Sequence, residues 1–261
     1  MSVLEIDRLS VKYGTRTVVS EVSLAVGRKQ TVGLVGESGS GKSTIANAAV
    51  GLAPVRGGSI RVNGVDTIGW RRDARNARRR IQMIFQDPYS ALDPKMSIGD
   101  SIAEATRATG RNWTSSQKRT RVRELLSQVH LDPDRSGELP GALSGGQRQR
   151  ATIARALAGE PEVIIADEVT SALDVSVQST VLNLLRELQD ELGLSMLFIS
   201  HNLAVVRYIS DEICVMRDGK IVEYGETETL LANPAEAYTR DLLAAVPVLG
   251  ERMQFDSEVP A

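Results

Sequence analysis

One cysteine in 261 residues rules out an intramolecular disulfide and a thiolate metal site. It is Cys214, inside the apolar run Ile213-Cys214-Val215-Met216, where a buried, inert thiol is expected. No apolar run reaches the 18 residues of a membrane-spanning helix. Met1 to Asp7 lack the basic-then-apolar order of a secretory signal. The chain is therefore expected in the cytoplasm, linked to a membrane only through another subunit. Charge of one sign is not in excess either. Lys and Arg number 31 against 33 Asp and Glu, a net −2, which excludes a global basic field for gathering nucleic acid or anionic lipid. The one dense basic stretch, Arg71 to Arg80, has helical composition and is expected to be a solvated face; a partner or phosphate head groups are the rival targets. There is no internal repeat and no low-complexity tract.

What remains is an ordinary globular composition, 42% hydrophobic and 25% charged, enough for one substantial α/β domain. Leu4–Tyr13, Thr17–Val26 and Gln30–Val35 have the β-branched apolar character of strands. Ser43–Leu52 predicts a helix, Gly57-Gly58 a turn, Ser59–Val65 a short strand punctuated by Asn63-Gly64, and Ile81–Phe85 another strand. Amphipathic helices fill Ser97–Leu131, with loops at Gly110-Arg111-Asn112 and Asp132-Pro133-Asp134. Apolar strands then recur at Val163–Ala166, Ser195–Ser200 and Glu212–Met216, and the helical segments of this half are Ser144–Ala158 and Val175–Leu192. That alternation predicts a parallel sheet covered on both faces. Residues 246–261 have little periodicity and are expected to fray.

Three segments carry chemistry. Gly36-Glu37-Ser38-Gly39-Ser40-Gly41-Lys42-Ser43-Thr44 matches G-x-x-x-x-G-K-[ST], follows an apolar strand and opens a helix. Glycines let successive backbone N–H groups turn toward a phosphate, and the helix N-terminus adds partial positive charge. Lys42, expected as an exposed charge on a preformed loop, would reach the β- and γ-phosphates, and the Ser43 hydroxyl would take a Mg²⁺ position. Val163 to Ala166 runs into Asp167-Glu168, two carboxylates at the C-terminal end of a strand, where parallel sheets place their sites. Asp167 is the candidate for the Mg²⁺ shell and Glu168 for polarising the attacking water. Leu143-Ser144-Gly145-Gly146-Gln147 precedes an amphipathic helix; Ser144 is its candidate N-cap, and the glycines admit a ligand close to the backbone.

These segments, with Ser171-Ala172-Leu173-Asp174, occur in the order and spacing of the ATP-binding subunits of ABC transporters, which the sequence resembles over nearly its whole length. The resemblance implies a P-loop NTPase parallel-sheet core with an N-terminal antiparallel β subdomain and a helical insertion. It implies a nucleotide-binding domain over residues 1–245, with the helical subdomain at about 88–143 and a tail at 246–261. It implies that Tyr13 stacks on adenine, that residues 36–44 and 144–147 hold ATP, and that Gln86 touches Mg²⁺ and the coupling interface. It further implies that Asp174 lies at a dimer contact and that His201 holds the γ-phosphate; His201 also follows the apolar run Met196–Ser200, another strand end.

Gln86 to Pro94 and Asn233 to Leu243 are similar to the dipeptide, oligopeptide and nickel importer branch. Two departures stand out: Val169 where proline is frequent, and no cysteine-rich extension, so no iron–sulfur cluster is expected. The implied partners are integral membrane permease subunits, a second ABC ATPase, identical or paralogous, and indirectly an extracytoplasmic solute-binding protein. The implied place is the cytoplasmic face of the cell membrane. The alternative is a soluble ABC ATPase acting outside transport; the long coiled-coil or zinc insertions and tandem domains of such proteins are missing.

Overall fold

The structure is a computed structural model and describes residues 2–87, 91–171 and 173–245. The predicted tail, Pro88-Tyr89-Ser90 and Ala172 lie outside the described residues. Two long strands, β1 (Ser2–Tyr13) and β2 (Arg16–Gly27), form an antiparallel hairpin. β4 (Val55–Val62) and β5 (Val65–Asp66) extend it into a sheet of order β2-β1-β4-β5. The expected turn at Gly57-Gly58 is instead part of β4. Pairing with β1 carries the chain straight through, and the glycines absorb a register shift: Asp7 pairs Ser59 while Ser10 pairs Gly57. Gly58 has φ +81, and a Cβ there would lie 2.3 Å from the Arg8 carbonyl oxygen, so glycine is required. The turn falls at Asn63-Gly64.

The second sheet has the order β10-β9-β3-β8-β7-β6, comprising β3 (Thr31–Val35), β6 (Ile81–Ile84), β7 (Val163–Asp167), β8 (Ser195–Ser200), β9 (Glu212–Arg217) and β10 (Lys220–Glu226). β9, β3, β8, β7 and β6 are parallel. β10 is antiparallel, an edge strand that the sequence pattern did not reveal because its side chains are half-exposed and polar.

Alternate residues of the parallel strands face two separate cores. Val163, Ile165, Leu197, Ile199 and Cys214 pack toward the antiparallel sheet, with α1 (Lys42–Ala49) between the two sheets. Ile164, Ala166, Met196, Phe198 and Val215 pack toward helices: α3 (Ile98–Ala105), α4 (Ser115–Gln128), α5 (Gly145–Leu157), α6 (Val175–Leu192) and α7 (Leu203–Ile209). Both faces are thus covered, one by helices and the other mainly by a sheet. The basic stretch forms α2 (Arg72–Arg79), with Ala74 and Ala77 buried and most of its arginines exposed. α8 (Thr227–Ala232) and α9 (Ala237–Ala244) follow β10. Cys214 is fully buried, and burial pushes its thiol far above the ordinary range, as expected of an inert sulfur.

Candidate nucleotide site

Strand order decides which side chains meet. Along the C-terminal edge of the parallel sheet, neighbouring strands β3, β8, β7 and β6 end in the glycine-rich loop, His201, Asp167-Glu168 and the Gln86 segment respectively. The loop runs from Gly36 into α1. Gly41 occupies the N-cap with φ +108, and no side chain caps the helix, so no side chain competes with an anion for its N-terminus. Gly36 lies so close to β9 that a Cβ would sit 2.1 Å from the Met216 carbonyl oxygen. Glu37, Ser38, Gly39 and Ser43 are exposed along the loop's outer face, whereas Ser40 and Gly41 are buried.

Lys42 departs from expectation. Its side chain folds back under the loop and is buried, with Nζ donating to the carbonyl oxygens of Gly36 at 2.7 Å and Glu37 at 2.8 Å. Burial lowers the ammonium pKa, against the opposing pull of Glu168, Asp167 and Glu37. A chain pattern shows that a lysine follows a glycine turn; it does not show that β2, β9 and β10 close over that turn.

The two groups expected at a metal are together: Ser43 Oγ donates to Asp167 Oδ1 at 3.2 Å. Asp167 is buried at the end of β7. Burial raises its pKa, with Glu168 adding to the rise and the Ser43 hydrogen bond and Lys42 opposing it. Glu168 follows at φ +48, a left-handed conformation that costs a non-glycine residue of order 1 kcal/mol or more. Three bonds hold it: its N–H donates to Ile199 O, and its carbonyl accepts from Ser171 N and Ser171 Oγ. Both carboxylate oxygens are engaged. Gln86 Nε2 donates to Oε2 at 2.8 Å, and His201 Nδ1 donates to Oε1 at 3.1 Å. Gln86 thus presents its amide to Glu168.

The remaining predicted residues are placed apart from this cluster. Ser144 caps α5 in a reciprocal box: its Oγ accepts from Gln147 N and its own N–H donates to Gln147 Oε1. Gly145 and Gly146 lie against Leu173 and Val177. Among the described residues no hydrogen bond joins 144–147 to 36–44. Asp174 is the exposed N-cap of α6, with no side-chain capping bond. Tyr13 is 47% exposed at the turn end of the β1–β2 hairpin, paired with Arg16. The same hairpin approaches the loop, since a Cβ on Gly41 would be 3.0 Å from Val18 O.

Arg148 was missed by sequence reasoning. It is buried, and Nε and Nη2 donate to the carbonyls of Pro140 and Leu143, fixing the backbone just ahead of the Ser144 cap. An arginine on the buried face of an amphipathic helix was the available signal.

The family model described as "ABC transporter" matches residues 19–171, more than half the chain. A Bacillus subtilis relative, Oligopeptide transport ATP-binding protein OppF, is 45% identical over 251 residues, covering 94% of this chain and 82% of its own length. This chain belongs to the ABC transporter family. Another relative of the cassette, from Brucella ovis and named for peptide import and ATP binding, is 47% identical over 249 residues, 94% of this chain and 78% of its own. Among solved structures, cbiO1 from Clostridium perfringens, part of the ABC transporter complex cbiONQ, superposes on the cassette with TM-score 0.80 at 26% identity, covering 89% and 91% of the two chains. The dimeric ATP-binding cassette MJ0796 bound to ADP and Pi gives 0.75 at 27%, covering 86% and 98%. The cassette is the ATPase component of such transporters, with the expected α/β architecture.

The buried Asp167 carboxylate generates a test of stability against function. A carboxyl whose pKa is raised by folding favours the folded state fully below the ordinary carboxylate pKa and loses that contribution as pH rises through the raised value. At neutral pH the charge of Asp167 therefore costs stability, and Asp167→Asn should melt higher than wild type by about 2–4 °C per kcal/mol recovered. By calorimetry the gain should shrink as pH falls through the raised value and be gone below the ordinary carboxylate pKa of about 3.9. A variant melting lower than wild type at pH 7 would contradict the electrostatic assignment.

Proposed function

We propose that this cassette binds and hydrolyses Mg-ATP to drive a peptide importer through separate membrane subunits. The single observation that carries the reading is the junction at the sheet edge, where Ser43 meets Asp167 and Glu168 is held between Gln86 and His201 beside the Lys42 loop. The relatives named for peptide import and oligopeptide transport supply the solute class.

In this reading the loop N–H groups, the α1 terminus and Lys42 take the phosphates, with Lys42 leaving its carbonyl partners to do so. Tyr13 stacks on adenine. A hydroxyl and a buried carboxylate 3.2 Å apart are hard oxygen ligands of the kind Mg²⁺ prefers. Ser43 and Asp167 would hold the metal, with Gln86 beside them, and when bound it supplies charge neutralisation for the transferred phosphoryl group. Glu168 polarises water once one oxygen is freed from Gln86 or His201, and His201 is then available to the γ-phosphate. Ser144, Gly145, Gly146 and Gln147, with Asp174, belong to the site of a second cassette that faces this one, identical or paralogous. The dimeric neighbour supports that arrangement.

The permease is proposed to dock at the helical insertion, where a groove of about 740 Å³ runs between α3 and α4, lined by Met96, Ala103, Val122 and Arg119 among others. Among the described residues no helix is long and apolar enough to cross a membrane. The chain is placed peripherally on the cytoplasmic membrane face because its relatives are named as ATP-binding proteins of import and one structural neighbour is part of a transporter complex. A solute-binding protein would act on the permease, not on this chain, and no nucleic acid is involved.

Glu168→Gln keeps shape and hydrogen bonding but removes the negative charge. Turnover should fall by roughly 10²–10⁴ with nucleotide binding retained. The variant should run as a dimer in sizing chromatography with Mg-ATP and as a monomer with ADP; if the partner is a paralogue, the dimer forms only on mixing. Wild-type turnover in the assembled complex would remove Glu168 from this role and make His201 the next candidate. The transport assignment is tested separately. A tagged chain extracted with its native membrane fraction should co-purify with integral membrane subunits, and recovery without any would favour the soluble ATPase alternative.

A further inference from the structure

The C-terminal third closes over the nucleotide loop through contacts that lie beyond the matched residues 19–171. At the β9–β10 turn, Asp218 and Gly219 have φ +47 and +80, a tight two-residue hairpin that points a backbone group at the loop. Gly219 N donates to Ser40 O at 3.0 Å, and Gly219 O accepts from Ser20 N at 2.9 Å. From α9, 201 residues along the chain, the Tyr238 hydroxyl accepts a hydrogen bond from Glu37 N at 3.0 Å. Tyr238 is only 6% exposed, and the Arg217 guanidinium stacks over its ring at 4.9 Å. Burial pushes the tyrosine pKa up, so the oxygen stays a neutral hydroxyl.

The peptide units flanking Glu37 are where these contacts converge. Its N–H goes to Tyr238, while its carbonyl accepts both Lys42 Nζ at 2.8 Å and Ser40 N at 3.2 Å. Tyr238 therefore fixes the orientation of the residue that parks the lysine and sets the curvature of the loop's entry. A neutral hydrogen bond of this kind contributes modestly to folding, but here it acts on a segment that must keep one shape to accept phosphate.

We propose that Tyr238 is a positioning residue for the ATP site and that α9 is thermodynamically linked to nucleotide binding. The proposal rests on reading residues 36–44 as the nucleotide loop. Losing the hydroxyl lets the loop sample shapes that do not bind, so apparent affinity falls by the fraction of time it is misplaced, while the catalytic carboxylate and its neighbours are untouched. By reciprocity, nucleotide binding tightens α9 onto the domain. Arg217 contributes by holding the ring flat against the turn.

The test uses the full chain and the Tyr238→Phe variant, which keeps the ring, its packing and the Arg217 stack. ADP affinity is measured by titration calorimetry, and ATP turnover gives KM and kcat on the assembled ATPase. The expected result is an ADP affinity about 3- to 10-fold weaker and KM raised in step, with kcat unchanged. Unchanged affinity and KM would overturn the proposal, whether or not the melting temperature drops, because a purely structural tyrosine moves stability alone. A fall in kcat at unchanged KM would also overturn it. Should the variant fold poorly, hydrogen exchange on the wild-type chain decides. Amides of 237–244 should gain protection on adding ADP, and no gain would overturn the linkage. Failure of wild type to bind ADP would instead remove the loop assignment itself, which separates the two readings.

Discussion

The ammonium of Lys42 is held by peptide carbonyls, not by a contacting carboxylate, and much of the surrounding architecture serves to keep it there. A buried cation paired directly with a carboxylate would be costly to release. Carbonyl oxygens of Gly36 and Glu37 accept from it without neutralising its charge. Asp167 and Glu168 act on it from farther off and offset part of the burial cost. The loop must therefore be bent sharply and packed closely, which is why Gly36 abuts Met216 and Gly41 abuts Val18 with no room for a side chain. Contributions from β2, β9, β10 and α9 follow from the same requirement.

The second constraint is strain at Glu168. Its left-handed backbone turns the carboxylate off the end of β7 toward β8 and β6, and bonds to Ile199 and Ser171 pin it in that conformation. Gln86 and His201 then hold both of its carboxylate oxygens. The carboxylate is thereby fixed at the junction of β6, β7 and β8, where neighbouring strand ends meet.

Much of this was legible in the sequence where the signal is local. The glycine-rich loop was readable because its residues, the strand before and the helix after are contiguous. The Ser144 cap was readable because Ser144 and Gln147 sit three apart and bond reciprocally. The strand ends at Asp167 and His201 were visible as apolar runs that stop at polar residues. What stayed hidden depends on distant pairing. Gly57-Gly58 looks like a turn until β1 is laid alongside it, and Lys42 looks exposed until β9 and α9 close over its loop. Tyr238 lies in the importer-like segment Asn233 to Leu243, but nothing in that segment points to its contact with a residue 201 positions earlier. Arg148 could have been noticed as a charge on a buried helix face.

In the proposed dimer one chain carries two halves of different sites, the phosphate loop with its carboxylates on one side and the Ser144 segment on the other. Steady-state ATPase activity of the purified chain, with its paralogue added if one exists, measured across a dilution series down to well below the dimerisation range, tests this most directly. Specific activity should climb with protein concentration toward a plateau as dimers form around ATP. A specific activity independent of concentration throughout the series would show that a single chain completes its own site, and would contradict this division.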